Sequence, residues 1–209
     1  MRSRKLKRLF DLIFAGTGFL VCVPVLLVVA ICILISMGFP VLFRQRRPGK
    51  NGVPFTLFKF RTMSEEKDAQ GHPISDAKRL SPVGYFLRKA SLDELPQLIN
   101  VIKGEMSIVG PRPLLMAYLS RYSAEQARRH EVVPGITGWA QVNGRNSLSW
   151  DEKFKLDVWY VDNWSLWLDL KIIFLSVKRV ISQKDVNKDG HATAEEFLGA
   201  TQSKPLNSI

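Results

Sequence analysis

Cysteine, histidine and acidic residues are scarce in this chain. Two cysteines, Cys22 and Cys32, and three histidines, His72, His130 and His191, occur in 209 residues. Both cysteines fall in one apolar tract and read as small buried hydrophobes, which excludes a disulfide framework. The histidines are scattered, which argues against a zinc site. Lys and Arg outnumber Asp and Glu by 30 to 19, for a formal charge of +11. That balance suits an anionic membrane surface, phosphorylated substrates or nucleic acid. No internal repeat and no low-complexity linker is found, so the chain reads as one domain with a membrane anchor.

Charge is missing altogether from residues 12–43, "LIFAGTGFLVCVPVLLVVAICILISMGFPVLF". This run exceeds the roughly 20 residues that span a bilayer. It is too long for a signal-peptide core and has no A-x-A-like cleavage site after it. A helix apolar on every face is not expected inside a soluble domain of this size. Arg2, Arg4, Lys5, Lys7 and Arg8 precede the run, and Arg44, Arg46, Arg47 and Lys50 follow it. Positive flanks favour the cytoplasmic side, and here both ends carry them. Pro24 removes a helical N–H a third of the way along. Two topologies are open on the residues alone: a spanning helix kinked at Pro24, and a helix bent near Val23 and Pro24 that enters and leaves by the same face.

The remainder reads as α/β and mostly helical. "VLFRQRRPGKNGVPFTLFKFRTM" suggests two strands around a Gly/Pro turn, with Lys59 and Arg61 on one face of the second. "VGYFLRKA" suggests a short helix and "YLSRYSAEQARRHEVV" a charged surface helix. "PGITGWAQVNGR" is turn-rich, with room for a short strand. "WDEKFKLDVWYVDN" and "SLWLDLKIIFLSVKRVISQ" read as two more helices. Trp159, Trp164 and Trp167 cluster at their join, and Leu166, Leu170, Ile173 and Val177 form an apolar stripe. An interfacial amphipathic helix and ordinary core packing both fit that pattern.

"SLDELPQLINVIKGEMSIVGPRP" holds the densest chemistry. Asp93 and Glu94 are adjacent. Two helix-start readings are available: a capping box from Ser91 to Glu94, and Asp93 as N-cap with Pro96 tolerated in the first turn. The chemical readings are a carboxylate pair holding Mg²⁺ together with phosphate oxygens, and a carboxylate nucleophile. Arg88 lies about a turn upstream. Arg112 sits in "GPRP", where the prolines restrict the backbone and pre-aim a guanidinium suited to phosphate. Lys59 and Arg145 add further cations. Residues 185–196, "DVNKDGHATAEE", match an EF-hand loop at Asp185, Asn187, Asp189, Gly190 and Glu196, but with Ala192 at an apolar position and no second copy.

These stretches, in this order and over nearly the whole chain, resemble the bacterial sugar transferase family, and within it the small monotopic phosphoglycosyl transferases. The resemblance rests on "KRLFDLIFAGTGFLVCVPVLL", "VLFRQRRPG", "FTLFKFRTM", "LRKASLDELPQLINVIKGEMSIVGPRP", "PGITGWAQVNGR" and "DVWYVDNWSLWLDLKII". It implies a re-entrant membrane helix over residues 1–43 broken near Pro24, a cytoplasmic membrane-associated catalytic domain over 44–183, and a tail over 184–209. This chain has Val23 where the family usually has serine. The implied site is catalytic Asp93 and Glu94, with substrate-binding Lys59, Arg88, Arg112 and Arg145, and with Mg²⁺ on the two acids. The implied reaction moves a sugar 1-phosphate from a UDP-sugar to polyprenyl (undecaprenyl) phosphate through a phospho-Asp intermediate, releasing UMP. The implied partners are membrane lipid and these two substrates, with no nucleic acid. The implied location is the cytoplasmic face of a bacterial inner membrane. A non-enzymatic membrane scaffold sensing Ca²⁺ through residues 185–196 is the alternative.

Overall fold

The computed structural model describes residues 3–66, 68, 70–72, 74–144, 147–182 and 196–199. Its architecture is mostly helical, with two small two-stranded sheets and one long apolar N-terminal helix. That helix, α1 (Arg4–Met37), runs 34 residues and continues through Pro24. Its length is about 50 Å at 1.5 Å per residue. Ser3 caps its start by accepting from the Leu6 amide. Among the described residues it is the one helix long and apolar enough to cross a membrane.

Both ends of α1 are tied to the same globular domain. Near the start, Lys7 Nζ lies 2.7 Å from Asp169 Oδ2 and donates to the Val109 carbonyl at 3.1 Å. Arg8 donates to the carbonyls of Val101 and Ile102, and Asp11 accepts from Ser107 and from the Ile108 amide. At the far end the Arg61 guanidinium donates to the carbonyls of Met37, Gly38 and Phe39, which satisfies a helix terminus. Val29 and Ile33 pack there against Phe60 and Leu87. Much of the rest of the helix surface is bare: Leu20 and Val21 are each over 70% exposed, and Ile35 is 82% exposed. Both thiols are free and sit on this helix. Cys32 is exposed there, contrary to the expectation of burial.

A hairpin follows as expected, β1 (Leu42–Pro48) antiparallel to β2 (Pro54–Phe60). Its turn needs positive φ at Asn51 and Gly52, which suits both residue types. Phe55, Leu57 and Lys59 alternate onto one face. The first two join Ala15, Leu98, Val101 and Met106 in the core. After α2 (Asp76–Arg79), α3 (Pro82–Lys89) starts at the Ser81 cap. It packs so closely that a Cβ on Gly84 would lie 1.9 Å from the Thr62 carbonyl oxygen. Next comes α4 (Gln97–Lys103), which ends at Gly104 in the left-handed region.

Strand β3 (Ser107–Val109) pairs in parallel with β4 (Gly135–Thr137). The two chain segments meet backbone to backbone. A Cβ on Gly135 would fall 2.0 Å from the Gly110 amide nitrogen, and one on Gly138 would fall 2.3 Å from the Gly110 oxygen. No side chain fits there, so these glycines hold the arginine-bearing loop after β3 in place.

The expected surface helix between the strands does not form. It breaks into a 3-10 turn at Met116–Arg121, α5 (Ala124–Ala127) and a second 3-10 turn at Arg128–Glu131. Ser123 starts a new helix through a reciprocal capping box with Gln126. Arg129 turns inward to Asp157 instead of facing solvent. The remaining helices are α6 (Trp139–Asn143), α7 (Trp150–Asn163) and α8 (Leu166–Ser182). On α8 the buried side is Leu168 and Ile172, while Trp167, Leu170, Phe174 and Val177 are exposed. Ile173 packs toward the core, so the outward stripe is shifted from the one expected.

Candidate active site

Asp93 and Glu94 lie on a 3-10 turn, Leu92–Glu94, that connects α3 to α4. Neither capping arrangement expected from the sequence occurs. Ser91, the residue before the turn, makes no side-chain cap bond, and Pro96, the cap residue of α4, provides none. Ser91 is instead held at φ 56°, a left-handed conformation costly for a non-glycine residue. This kink turns the two carboxylates toward the hairpin and the loop after β3. Such local strain is characteristic of sites where side-chain direction matters more than backbone comfort.

The two acids differ in their surroundings. Glu94 Oε1 accepts from Lys59 Nζ at 2.7 Å and from Arg112 Nη2 at 2.5 Å, and Oε2 lies 3.4 Å from Arg112 Nη1. Asp93 is 8% exposed, yet among the described residues no group donates a hydrogen bond to its carboxylate. Its nearest cation is Lys59, with Nζ 3.9 Å from Oδ2. Arg88 anchors Nε on the Thr62 hydroxyl at 3.0 Å, and its charge acts on Asp93.

Ionisation follows this geometry. Burial, and then the Glu94 charge, push Asp93 above the ordinary aspartate value, against the pull of Lys59, Arg112 and Arg88. Arg112 and then Lys59 hold Glu94 well below the usual carboxylate range despite its burial. Burial pulls Lys59 down, and Glu94 opposes that shift. Glu94 pushes Arg112 up. The arrangement is therefore a fixed, ionised glutamate clamping two cations, beside an aspartate that is desolvated and unclamped. A carboxylate short of hydrogen bonds keeps its lone pairs available to attack an electrophile or hold a cation.

A buried support, not apparent in the sequence, underlies Arg112. Arg129 donates from Nη2 to the Arg112 carbonyl at 2.7 Å and pairs with Asp157 Oδ2 through both Nε and Nη2. Its guanidinium also lies over the rings of Tyr122 and Phe154. Arg129 stood in a run of charges that resembles a solvated face, and burial was its distinguishing property. The structure thus brings together Asp93, Glu94, Lys59, Arg88 and Arg112. Arg145 lies outside the described residues. So do residues 185–195 of the EF-hand-like stretch, while its last residue, Glu196, pairs with Arg121 at 2.7 Å.

Among the described residues no three His, Cys, Asp or Glu side chains are grouped to cage a metal. The available oxygens are the two of Asp93 and the lightly used Oε2 of Glu94. This donor set suits Mg²⁺, which takes one or two carboxylates and completes its shell with water and substrate phosphate.

Comparison with known proteins gives consistent matches. The model of the family described as bacterial sugar transferase matches residues 2–183. An uncharacterized sugar transferase of Bacillus subtilis, EpsL, is 56% identical over 196 residues, covering 93% of this chain and 96% of that protein. A UDP-glucose:undecaprenyl-phosphate glucose-1-phosphate transferase of Escherichia coli is 42% identical over 185 residues, covering 84% of this chain. An undecaprenyl-phosphate glucose phosphotransferase of Komagataeibacter xylinus is 42% identical over 197 residues, covering 86% of this chain. The match spans only 40% and 36% of those last two proteins.

Proposed function

The chain belongs to the bacterial sugar transferase family, and on that premise we propose that it moves a sugar 1-phosphate from a UDP-sugar to polyprenyl phosphate at a membrane surface. The observation that carries this reading is the asymmetry of the dyad. Glu94 Oε1 is clamped by Lys59 and Arg112, while among the described residues Asp93 beside it accepts no hydrogen bond. Relatives named as glucose-1-phosphate transferases acting on undecaprenyl phosphate supply the substrate class.

In this reading Asp93 is the nucleophile. One of its oxygens forms a bond to the phosphorus that carries the sugar. The bond from that phosphorus to the bridging oxygen breaks, and UMP leaves with the electron pair. An oxygen of polyprenyl phosphate then attacks the phospho-Asp phosphorus, giving polyprenyl diphosphate sugar and restoring the Asp93 carboxylate. Arg112, Lys59 and Arg88 face the charge that builds on the transferring group, which is usually the largest catalytic contribution. Glu94 fixes the first two cations and is too firmly ionised to serve well as a proton acceptor. Asp93 and Glu94 Oε2 would hold a Mg²⁺ ion arriving with the diphosphate. Such an ion supplies Lewis-acid stabilisation of phosphate oxygens.

The same reading makes α1 re-entrant and the protein monotopic. A helix whose two ends bind one small domain, through Lys7 and Arg8 at the start and Arg61 at the finish, suits entry and exit by a single face. Basic flanks at both ends favour the cytoplasmic side of the bacterial inner membrane. The outward row of Trp167, Leu170, Phe174 and Val177 suits α8 to the headgroup level. A lipid phosphate at the interface and a soluble donor then reach one site.

The test is UMP release by purified protein given a panel of UDP-sugars, Mg²⁺ and polyprenyl phosphate. Asp93→Asn is expected to unfold at the wild-type temperature within a few degrees and to lose at least about 1,000-fold in rate, the scale of removing a nucleophile. UMP release by Asp93→Asn at near the wild-type rate would exclude the covalent route.

A further inference from the structure

We infer that Arg47 binds a second substrate phosphate, one that Asp93 does not attack. This inference rests on the reading of the dyad as a sugar-phosphate transfer site.

Three arginines follow one another in "RQRR" on β1, and the hairpin sorts them. Arg44 and Arg46 are exposed on one face. Arg47 pairs across the hairpin with Phe55, and Phe43 pairs with Lys59. Paired residues share a face, so Phe43, Gln45 and Arg47 lie on the side that carries Phe55, Leu57 and Lys59. On that side Phe55 and Leu57 enter the core and Lys59 reaches the dyad, while Phe43 is exposed. Arg47 is therefore the one arginine of the three on the face that presents Lys59 to Glu94.

Its contacts are unusual for a half-buried cation. Nη2 donates to Gln45 Oε1 at 2.6 Å, and Nη1 reaches the Pro113 carbonyl at 3.5 Å. Nε is buried with no hydrogen-bond partner among the described residues. Both acceptors are neutral, and among the described residues no carboxylate lies within ion-pair distance of Arg47. Every other cation that lines the dyad feels an acid directly, whereas Arg47 sits beside the residue after Arg112. Burial, and then the Arg112 charge, lower its pKa to about 10. A desolvated guanidinium that feels the Arg112 charge and has no carboxylate at ion-pair distance among the described residues is an unfavourable arrangement for the free protein. An arriving anion would relieve it.

The chemistry of the donor asks for such a group. A nucleoside diphosphate sugar brings two phosphates, and Lys59, Arg112 and Arg88 are gathered around the dyad, where the attacked one would lie. The Arg47 guanidinium, at the Pro113 carbonyl, extends the cationic row by one residue beyond Arg112. Arginine's planar fork matches phosphate oxygens. The second phosphate has two chemical sources, the nucleoside-linked phosphate of the donor and the monoester phosphate of the lipid acceptor.

Arg47→Met keeps the apolar stem and removes the charge. It is compared with wild type in three measurements: melting temperature, the rise in that temperature on adding UDP, and the KM for each substrate. The expected result is an unchanged or higher melting temperature without ligand. One KM should rise roughly ten-fold or more, as for loss of a charge-assisted contact. A donor source raises the UDP-sugar KM and shrinks the UDP-induced shift; an acceptor source raises the polyprenyl phosphate KM and leaves that shift intact. Either assigns the phosphate. Arg47→Lys, which keeps charge but not the fork, is expected to restore part of the loss. A lower melting temperature with both KM values and the UDP shift unchanged would make Arg47 a strut for Pro113 and overturn the inference. If wild type releases UMP from no donor, the reading of the site itself fails.

Discussion

Adjacent carboxylates rarely share an environment, and the Asp93–Glu94 pair shows how far one residue of offset can separate them. Burial and the Glu94 charge raise Asp93, so its nucleophilic, ionised form is lost at a higher pH than for an ordinary aspartate. The rate of sugar-phosphate capture should therefore fall with decreasing pH while Asp93 protonates. In Glu94→Gln the neighbouring negative charge is gone, and Lys59 and Arg112 turn their charge to Asp93 alone. Both changes favour the ionised form. The acid limb of the residual donor rate should move to lower pH, measured as a pH profile of UMP release. A limb that stays put or moves upward would refute the electrostatic account of the dyad. These residues were legible in the sequence because their types are chemically expensive in such company: adjacent acids, an arginine between prolines, a lysine in a strand. Arg129 was not, because a run of charges carries no sign of which member turns inward. The capping expectation for Asp93 and Glu94 failed for a related reason. Helix-start patterns are read from spacing, and the left-handed backbone at Ser91 is invisible there.

At the scale of elements, α1 is the part most readily read and least fully specified. A long uncharged run announces the helix, but not what holds its ends. Those holds are polar and distant in sequence: Lys7 to Asp169, Asp11 to Ser107, Arg61 to Met37. The Asp169 side chain is fully buried and also accepts from Tyr160 at 2.7 Å and Trp164 at 3.2 Å. Lys7→Met removes its only charged partner among the described residues. Stranding a buried carboxylate costs about 3–5 kcal/mol, against 0–1 kcal/mol for a surface pair. Chemical unfolding of the protein in lipid nanodiscs should show the larger loss, and Lys7→Met combined with Asp169→Asn should recover part of it. A loss within the surface range would mean that α1 is not anchored through this pair. Helices α7 and α8 and the hairpin were legible from periodicity and turn chemistry. The segment between β3 and β4 was not, because its continuous polar pattern conceals the new start that Ser123 makes.

For the whole molecule, the distribution of charge and apolar surface describes a protein that works on a boundary. Its formal charge is +11, and among the described residues most of the exposed large apolar side chains lie along α1 and on one side of α8. In a variant lacking Cys22 and Cys32, single cysteines at positions 4 and 50 should both react with an impermeant thiol reagent only from the cytoplasmic side. Reaction at either position from outside would contradict the re-entrant topology. The central claim is that this boundary protein carries a sugar phosphate on its own aspartate between a soluble donor and a lipid. Intact-protein mass spectrometry after incubation with the UDP-sugar and Mg²⁺ alone, without lipid acceptor, tests it most directly. The expected result is a mass increase equal to one sugar phosphate, formed together with UMP, located on Asp93 and discharged when polyprenyl phosphate is added. UMP that forms only when the acceptor is present, from a protein whose mass never changes, would contradict it.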